Sequence, residues 1–269
     1  MDAVRGVFTT MDPLCEKYYN ISPYAYCGNN PVLFIDPTGM EPDSLESALM
    51  AAYSYHDSKR SSYAKQLRDR GWKVVNNFKS KTGFKATLFS RTTEMDGDMQ
   101  SEYAFAFAGT DFKINSLNGM LDTAKDIAAD IQNYLGVGLS LQQAQAAVCA
   151  LAFSLKYDNL TFVGHSLGGG LAAFASMITG NAAITFNPAS LNGTAKQIGN
   201  LFGGEGNITQ YRTVGNPLFN SPIKVGGDYI NQFQSITGHP SQGNVHPVYI
   251  NSHNFNHNIE TFVTLFGGQ

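Results

Sequence analysis

The pentapeptide at residues 164–168, Gly-His-Ser-Leu-Gly, restricts the possible folds of this chain more than any other feature. It follows the apolar run at 160–163 and precedes the small-residue stretch at 169–175, which predicts a strand before it and a helix after it. A G-x-S-x-G motif at a strand-to-helix turn is a nucleophile elbow, whose glycines leave room for a strained turn that exposes the serine hydroxyl. The sequence therefore predicts that Ser166 is a nucleophile.

Composition limits the classes of protein to which the chain can belong. Its 269 residues can bury one substantial core, and 14% charged residues suit a compact domain. The net charge is −3 without a Lys/Arg cluster, so we expect no nucleic-acid partner. Apolar runs are too short for a transmembrane helix, and residues 1–6 lack the apolar core of a signal peptide. If the protein is secreted or delivered, we therefore expect it to use another export route.

The cysteines and histidines do not predict a metal or a disulfide framework. Three cysteines are an odd number, and Cys149 lies in a helix-like stretch where we expect a buried structural thiol. No Cys/His cluster has zinc spacing, and no glycine-rich phosphate loop follows a strand. We expect no metal and no other cofactor.

The chain changes character near residue 41. Residues 1–40 are rich in Tyr, Asn and Pro, which favours short strands and turns. From residue 41 the pattern is helical, and Asp43 is a candidate cap for a helix through 44–53. We therefore divide the chain into segments 1–40 and 41–269.

The second segment alternates helices and strands, which predicts an α/β fold with a largely parallel sheet covered by helices. In one of the predicted helices Ala144, Val148, Leu151 and Leu155 fall on one face. The predicted helices are 60–70, ending at Gly71, then 121–135, 141–155 and 257–266; the predicted strands are 84–91, 103–108, 160–164, 183–187 and 208–214.

A nucleophilic serine needs a histidine base, which follows the serine and the acid in the α/β-hydrolase order. We favour His257, because a base at the start of the last helix is held on a rigid element. The alternatives are His253 and then His246. His165 is expected to point away from the hydroxyl of its neighbour, and His56 to lie at a helix end or on the surface.

The acid and the oxyanion donors are less clearly marked. The loop after strand 208–214 has Asn216 where a carboxylate is needed, and Asp228 is the nearest downstream carboxylate, although it suits a turn. The oxyanion donors are expected to be the backbone N–H of Leu167 and a group from the strand end at 107–110, where Thr110 adds a hydroxyl.

Residues 44–266 resemble the class 3 lipase family and its phospholipase-like relatives. The resemblance rests on the Ala-Tyr pair at 52–53, the Phe-Ala-Gly-Thr loop at 107–110, the elbow, the His257 segment, and the helix with Asp126 and Asp130 before a Gln-containing helix. It implies an α/β-hydrolase fold, lipid esters as substrates and Asn216 at the position of the catalytic aspartate.

Residues 8–40 resemble the C-terminal end of the Rhs-repeat-associated core. The matching stretches are FTTMDP at 8–13, YAYCGNNP at 24–31 and IDPTGM at 35–40. In that family the segment plugs a β-cage shell, and two aspartates cleave the chain after such a motif. The resemblance implies Asp12 and Asp36 as these aspartates, cleavage after Met40, and a toxin downstream.

The leading hypothesis is a serine esterase of lipid acyl esters, a phospholipase or lipase toxin domain of an Rhs polymorphic toxin. Its expected partners are a lipid substrate, a cognate immunity protein and the Rhs shell, with peripheral membrane contact. One alternative, suggested by Asn216, is a catalytically impaired lipase-like module that binds a partner or membrane. Another is a carrier fragment whose role lies in residues 1–40 alone.

Overall fold

The structure, a computed structural model, describes residues 42–56, 58–80, 83–95, 98–109, 139–202, 206–214, 243–249 and 257–267. Several sequence predictions lie outside these residues: segment 1–40 with Asp12 and Asp36, the helix at 121–135, and Thr110, Asn216, Asp228 and His253.

The described strands form one mixed sheet, in which they lie side by side in chain order. The first two pairings, β1–β2 and β2–β3, are antiparallel, and every later pairing from β3 to β7 is parallel. The strands are β1 (Lys73–Lys79), β2 (Lys85–Met95), β3 (Asp98–Phe107), β4 (Leu160–His165), β5 (Ala182–Phe186), β6 (Asn207–Val214) and β7 (Asn244–Tyr249). The sheet with its helices confirms the α/β fold.

Helices cover both faces of the sheet. Alternation along the strands separates two buried clusters: Ala104 and Ala106 of β3 belong to one, and Phe105 and Phe107 to the other. The first cluster includes side chains of α1 (Ser44–His56), α2 (Ser62–Asp69) and α6 (Ile259–Leu265); the second includes those of α3 (Leu141–Ser154), α4 (Leu167–Thr179) and α5 (Gly193–Phe202).

The start of α1 is fixed by a reciprocal cap. The carboxylate of Asp43 accepts a hydrogen bond from the backbone N–H of Glu46 at 2.6 Å, and Glu46 accepts one from the backbone N–H of Asp43 at 3.3 Å. This capping box confirms Asp43 as the helix cap. The cap matters for the site because α1 carries Tyr55 at its other end.

Two expectations for α3 need correction. The face with Val148, Leu151 and Leu155 does not turn inward: these side chains are 69%, 36% and 90% exposed, whereas Ala146 and Ala150 are buried. Small residues let α3 approach the adjacent α4 closely, so the larger side chains point outward. Cys149 is half-buried rather than buried, and burial raises the pKa of its thiol.

Two features are absent from the described residues. None of their helices is long and apolar enough to cross a membrane. In the same residues no group of three or more His, Cys, Asp or Glu side chains could hold a metal ion.

Candidate active site

Ser166 occupies a strained turn between β4 and α4. Its backbone has φ 58° and ψ −126°, a left-handed conformation that L-residues rarely adopt. The turn is held by neighbouring backbone: the Ser166 N–H donates to the Phe186 carbonyl at 3.1 Å, and its own carbonyl accepts from Ala189 at 2.9 Å. The strained strand-to-helix turn that the motif predicts is therefore present at Ser166.

The elbow serine is more enclosed than the sequence predicted. Ser166 is only 2% exposed, although the motif favoured an exposed hydroxyl. Hydrogen bonds to the end of β5 enclose it on one side. On another side lies Gly109, which follows β3: a Cβ on Gly109 would be 3.3 Å from the Ser166 Cβ.

The glycines around Ser166 are required by contacts with the neighbouring strand ends. A Cβ on Gly168 would lie 2.8 Å from the backbone carbon of Ala108 and 2.9 Å from the nitrogen of Gly109. A Cβ on Gly164 would overlap the backbone of Gly168. The elbow and the β3 end thus touch backbone to backbone, with no space for a methyl group.

The same contacts bring the two expected sources of oxyanion donors together. Phe107, the last residue of β3, pairs with Gly164 in the parallel ladder, so residues 108–109 lie beside the elbow. Leu167 is the first residue of α4, and the first N–H groups of a helix have no intrahelical acceptor. Helix N-termini also favour negative charge.

His257 lies next to the elbow, directly before the cap of the last helix. Its ring centroid is 4.7 Å from that of His165, the residue before Ser166, with the planes tilted by 35°. Asn258 caps α6 by accepting the backbone N–H of Glu260 at 3.0 Å, which fixes the chain beside His257. The preferred base therefore packs against the residue that precedes the preferred nucleophile.

His246, an alternative base, lies elsewhere in the sheet. It is in β7, and its ring packs against Tyr211 of β6 at 5.6 Å. The strands β5 and β6 separate β7 from the elbow strand. His56 ends α1 and is exposed, as the sequence predicted.

His165 has a more central place than the sequence suggested. It is 3% exposed, and its Nδ1 shares a 2.7 Å hydrogen bond with the Tyr55 hydroxyl. Burial, with the nearby His257, holds the pKa of His165 well below its ordinary value, so this ring is neutral. In the sequence, its position directly before Ser166 indicated a place near the site. Alternation of side chains along a strand predicted only that its ring points away from the Ser166 hydroxyl.

Asn187, which the sequence did not single out, connects the strand ends beyond the elbow. Its φ is 40°, and it is 1% exposed. Its side chain donates to the Thr213 hydroxyl at 3.0 Å and accepts from the Thr213 N–H at 2.9 Å. Thr213 precedes Asn216 by three residues, so Asn187 fixes the strand end from which that loop departs. The signal was an asparagine at a predicted strand end, since Asn tolerates positive φ.

Two comparisons with known proteins bear on this site. Residues 46–239, most of the chain, match the family described as phospholipase-like, Tle-like phospholipase domain. The chain is also 32% identical over 112 residues to the extracellular phospholipase A1 of Serratia liquefaciens. That match covers 41% of this chain and 29% of the relative, so the chain spans less than a third of the relative's length.

The family match includes all but the first two residues of α1, the elbow with Ser166, and the strands β1 to β6 that position it. The matched residues therefore contain the elbow and the β3 and β5 ends that enclose it. The chain belongs to the Tle-like phospholipase domain family.

Proposed function

We propose that this protein is a serine hydrolase that cleaves an acyl ester of phospholipids, a phospholipase A-type activity. The observation that carries the proposal is the strained backbone of Ser166, φ 58° and ψ −126°, in a chain of a phospholipase family. The residue before it, His165, packs against the ring of His257. Residues with a strained backbone cluster at functional sites.

The mechanism has two displacement steps. Ser166 Oγ attacks the ester carbonyl while His257 takes the hydroxyl proton, and the tetrahedral oxyanion is stabilised by the Leu167 N–H and a donor from the 107–110 loop, including Thr110. The C–O bond to the lysophospholipid then breaks, and His257 returns the proton to the leaving oxygen. Water, deprotonated by His257, then attacks the acyl-enzyme carbonyl. The C–O bond to Ser166 breaks, His257 returns the proton to Ser166 Oγ, and the fatty acid is released.

The experiment is lipid release from mixed phospholipid vesicles, with products identified by mass spectrometry. The parent protein should release fatty acid and lysophospholipid, and both Ser166→Ala and His257→Ala should abolish release. Removing a nucleophile that works with its base costs on the order of 10⁶ in rate. The matched control is His239→Ala, which changes another histidine that follows Ser166 in the chain, and it should keep parental activity. A severe loss in His253→Ala with an active His257→Ala would assign the base to His253.

A second candidate function is a lipase-like module that binds a partner or membrane without efficient catalysis. The sequence observation that favours it is Asn216, since an amide does not stabilise an imidazolium as a carboxylate does. Vesicle binding by a parent protein that releases no lipid would support this function over hydrolysis.

We also propose that the domain is the toxin of an Rhs protein, delivered as an effector and paired with an immunity protein. The resemblance of residues 8–40 supports this context. In a full-length parent with its shell, the chain should be cut between Met40 and Glu41, and Asp12→Asn and Asp36→Asn should each block the cut. The chain alone should cleave poorly, because two carboxylates that share a proton need rigid placement. An uncut full-length parent would contradict this context.

A further inference from the structure

A second imidazole packs against the proposed base. The ring of His165 lies 4.7 Å from that of His257, centroid to centroid, and it is 3% exposed. The proposed mechanism gives His165 no step. Its position invites a physical explanation, because a polar ring in the interior has to be satisfied or supported.

Tyr55 holds His165 in place. The Tyr55 hydroxyl is 2.7 Å from Nδ1 and 3.4 Å from the backbone oxygen of His165. With the proton on Nδ1, this N–H donates to the tyrosine oxygen, and the tyrosine O–H turns towards the backbone oxygen. The His165 Nδ1–H and the Tyr55 O–H are then both hydrogen-bonded. The Nε2 atom of His165 carries a lone pair and has no hydrogen-bond partner among the described residues.

Tyr55 also touches the other wall of the site. A Cβ on Gly109 would overlap its hydroxyl, so the tyrosine oxygen lies between the β3 end and the elbow. One side chain at the end of α1 therefore contacts both the elbow strand and the strand end expected to supply an oxyanion donor.

The neutral charge of His165 suits a neighbour of the base. A proton on His257 during the reaction would be opposed by a second cation 4.7 Å away, whereas a neutral ring adds no repulsion. The packed ring also restricts rotation of the His257 side chain, which lies directly before the cap of α6. Misplacement of a catalytic group by about 1 Å can cost on the order of 100-fold in rate.

We propose that Tyr55 and His165 are a positioning pair, in which Tyr55 fixes the His165 ring and this ring orients His257 towards Ser166. The inference rests on the proposed function, because it takes Ser166 as nucleophile and His257 as base. Neither member of the pair exchanges a proton with the substrate.

Tyr55→Phe tests the pair, with Tyr53→Phe as the matched control. Tyr53 lies in the same helix, and its buried hydroxyl has no hydrogen-bond partner in the described part of the chain. The readouts are the rate of Ser166 phosphonylation by a small fluorophosphonate, kcat and KM on 4-nitrophenyl acetate, and the melting temperature. Tyr55→Phe should slow phosphonylation and lower kcat on the order of tenfold, with KM unchanged. Tyr53→Phe should keep parental rates; equal rates in the two variants, or a change in KM alone, would overturn the proposal.

His165→Asn provides an independent arm that does not depend on the folding of Tyr55→Phe. Asparagine keeps a polar group near the Nδ1 position but removes the ring that packs against His257, so phosphonylation should again be slow. Adding Tyr55→Phe to this variant should cost little more, because Tyr55 acts through the ring. A parental rate in His165→Asn, or an undiminished Tyr55→Phe effect in that background, would contradict the pair. Parental hydrolysis in Ser166→Ala would instead refute the proposed function itself.

Discussion

At the scale of single residues, the site is defined by the close approach of the elbow backbone to the end of β3. Ser166 has a strained backbone, and hydrogen bonds to Phe186 and Ala189 hold it there. Such strain costs on the order of 1–3 kcal/mol, which the surrounding structure must offset. The contacts between the elbow and the β3 end contribute to this stabilisation, and they require glycine at residue 168.

Gly168→Ala should therefore destabilise the fold. Its Cβ would lie 2.8 Å from the Ala108 backbone carbon, closer than real Cβ atoms approach, so the β3 end must shift. We expect the free energy of unfolding to fall by about 1–3 kcal/mol in urea titrations, together with a loss of hydrolysis.

Gly193→Ala is the control for this substitution. It begins α5, and its Cβ would meet no heavy atom within 4 Å. It should be neutral or slightly stabilising. Equal stability of the two variants would show that the elbow and the β3 end are not in backbone contact.

Asn216 gives a second prediction at this scale. If it occupies the acid position, Asn216→Asp should raise kcat by orders of magnitude, because a carboxylate stabilises the imidazolium and selects its tautomer. The reverse change in serine proteases costs about 10⁴ in kcat. Asp228→Ala should matter little. Loss of activity in Asp228→Ala, with no gain in Asn216→Asp, would assign the acid to Asp228.

At the scale of elements, a buried ion cluster attaches α1 to the sheet. Arg91 of β2 is 8% exposed and contacts Glu46 of α1 at 2.6 Å and Glu102 of β3 at 2.9 Å. Its guanidinium lies 4.5 Å from the centre of the Trp72 ring. Because α1 also carries Tyr55, this cluster fixes the helix that supports the site.

The cluster makes stability depend on pH. Burial, together with the carboxylate of Asp43, raises the pKa of Glu46 to about 7 against the opposing effect of Arg91. Between its unfolded pKa near 4.5 and about 7, the folded state holds a proton that the unfolded state has lost. The free energy of unfolding should therefore fall as pH rises through this window, by up to about 3 kcal/mol.

Urea titrations at several pH values test this dependence. Glu46→Gln should make it shallower, because the amide does not titrate. A part should remain, because burial also raises the pKa of Asp43. Glu94→Gln, which changes an exposed carboxyl of β2, should keep the parental slope. An unchanged slope in Glu46→Gln would assign the dependence to another group.

The elements that the sequence predicted are those with a strong local pattern. The apolar strands β4 and β5 and the capped helix α1 lie close to their predicted bounds. Three elements were not predicted. The strand β1 has two asparagines and half-exposed faces, β7 contains Pro247, and α5 contains two glycines within ten residues. Tertiary pairing overrides weak local propensity in each.

The site was predictable to the same degree. Ser166 follows from a motif whose glycines have a local steric cause, and His257 follows from chain order and its place before a helix. Tyr55 and Asn187 act through contacts with residues distant in sequence, at His165 and Thr213. Spacing in the sequence carries no information about such contacts.

At the scale of the whole molecule, topology explains where the site lies. Gly109, Ser166 and Asn187 each follow the carboxyl end of a strand, β3, β4 and β5, which are adjacent and parallel. Open α/β sheets bind ligands at this edge, because neighbouring strand ends bring their loops together there. The helix α1, which packs on one face of the sheet, reaches the same edge with Tyr55.

The most direct test of the central claim is to trap the acyl-enzyme. The protein is mixed with a phospholipid of one defined acyl chain and quenched rapidly in acid, and the digested peptides are weighed by mass spectrometry. The account predicts that the peptide with Ser166 gains the mass of one acyl group, and that Ser166→Ala gives neither adduct nor free fatty acid. An acyl group on another residue, or lipid hydrolysis undiminished in Ser166→Ala, would contradict it.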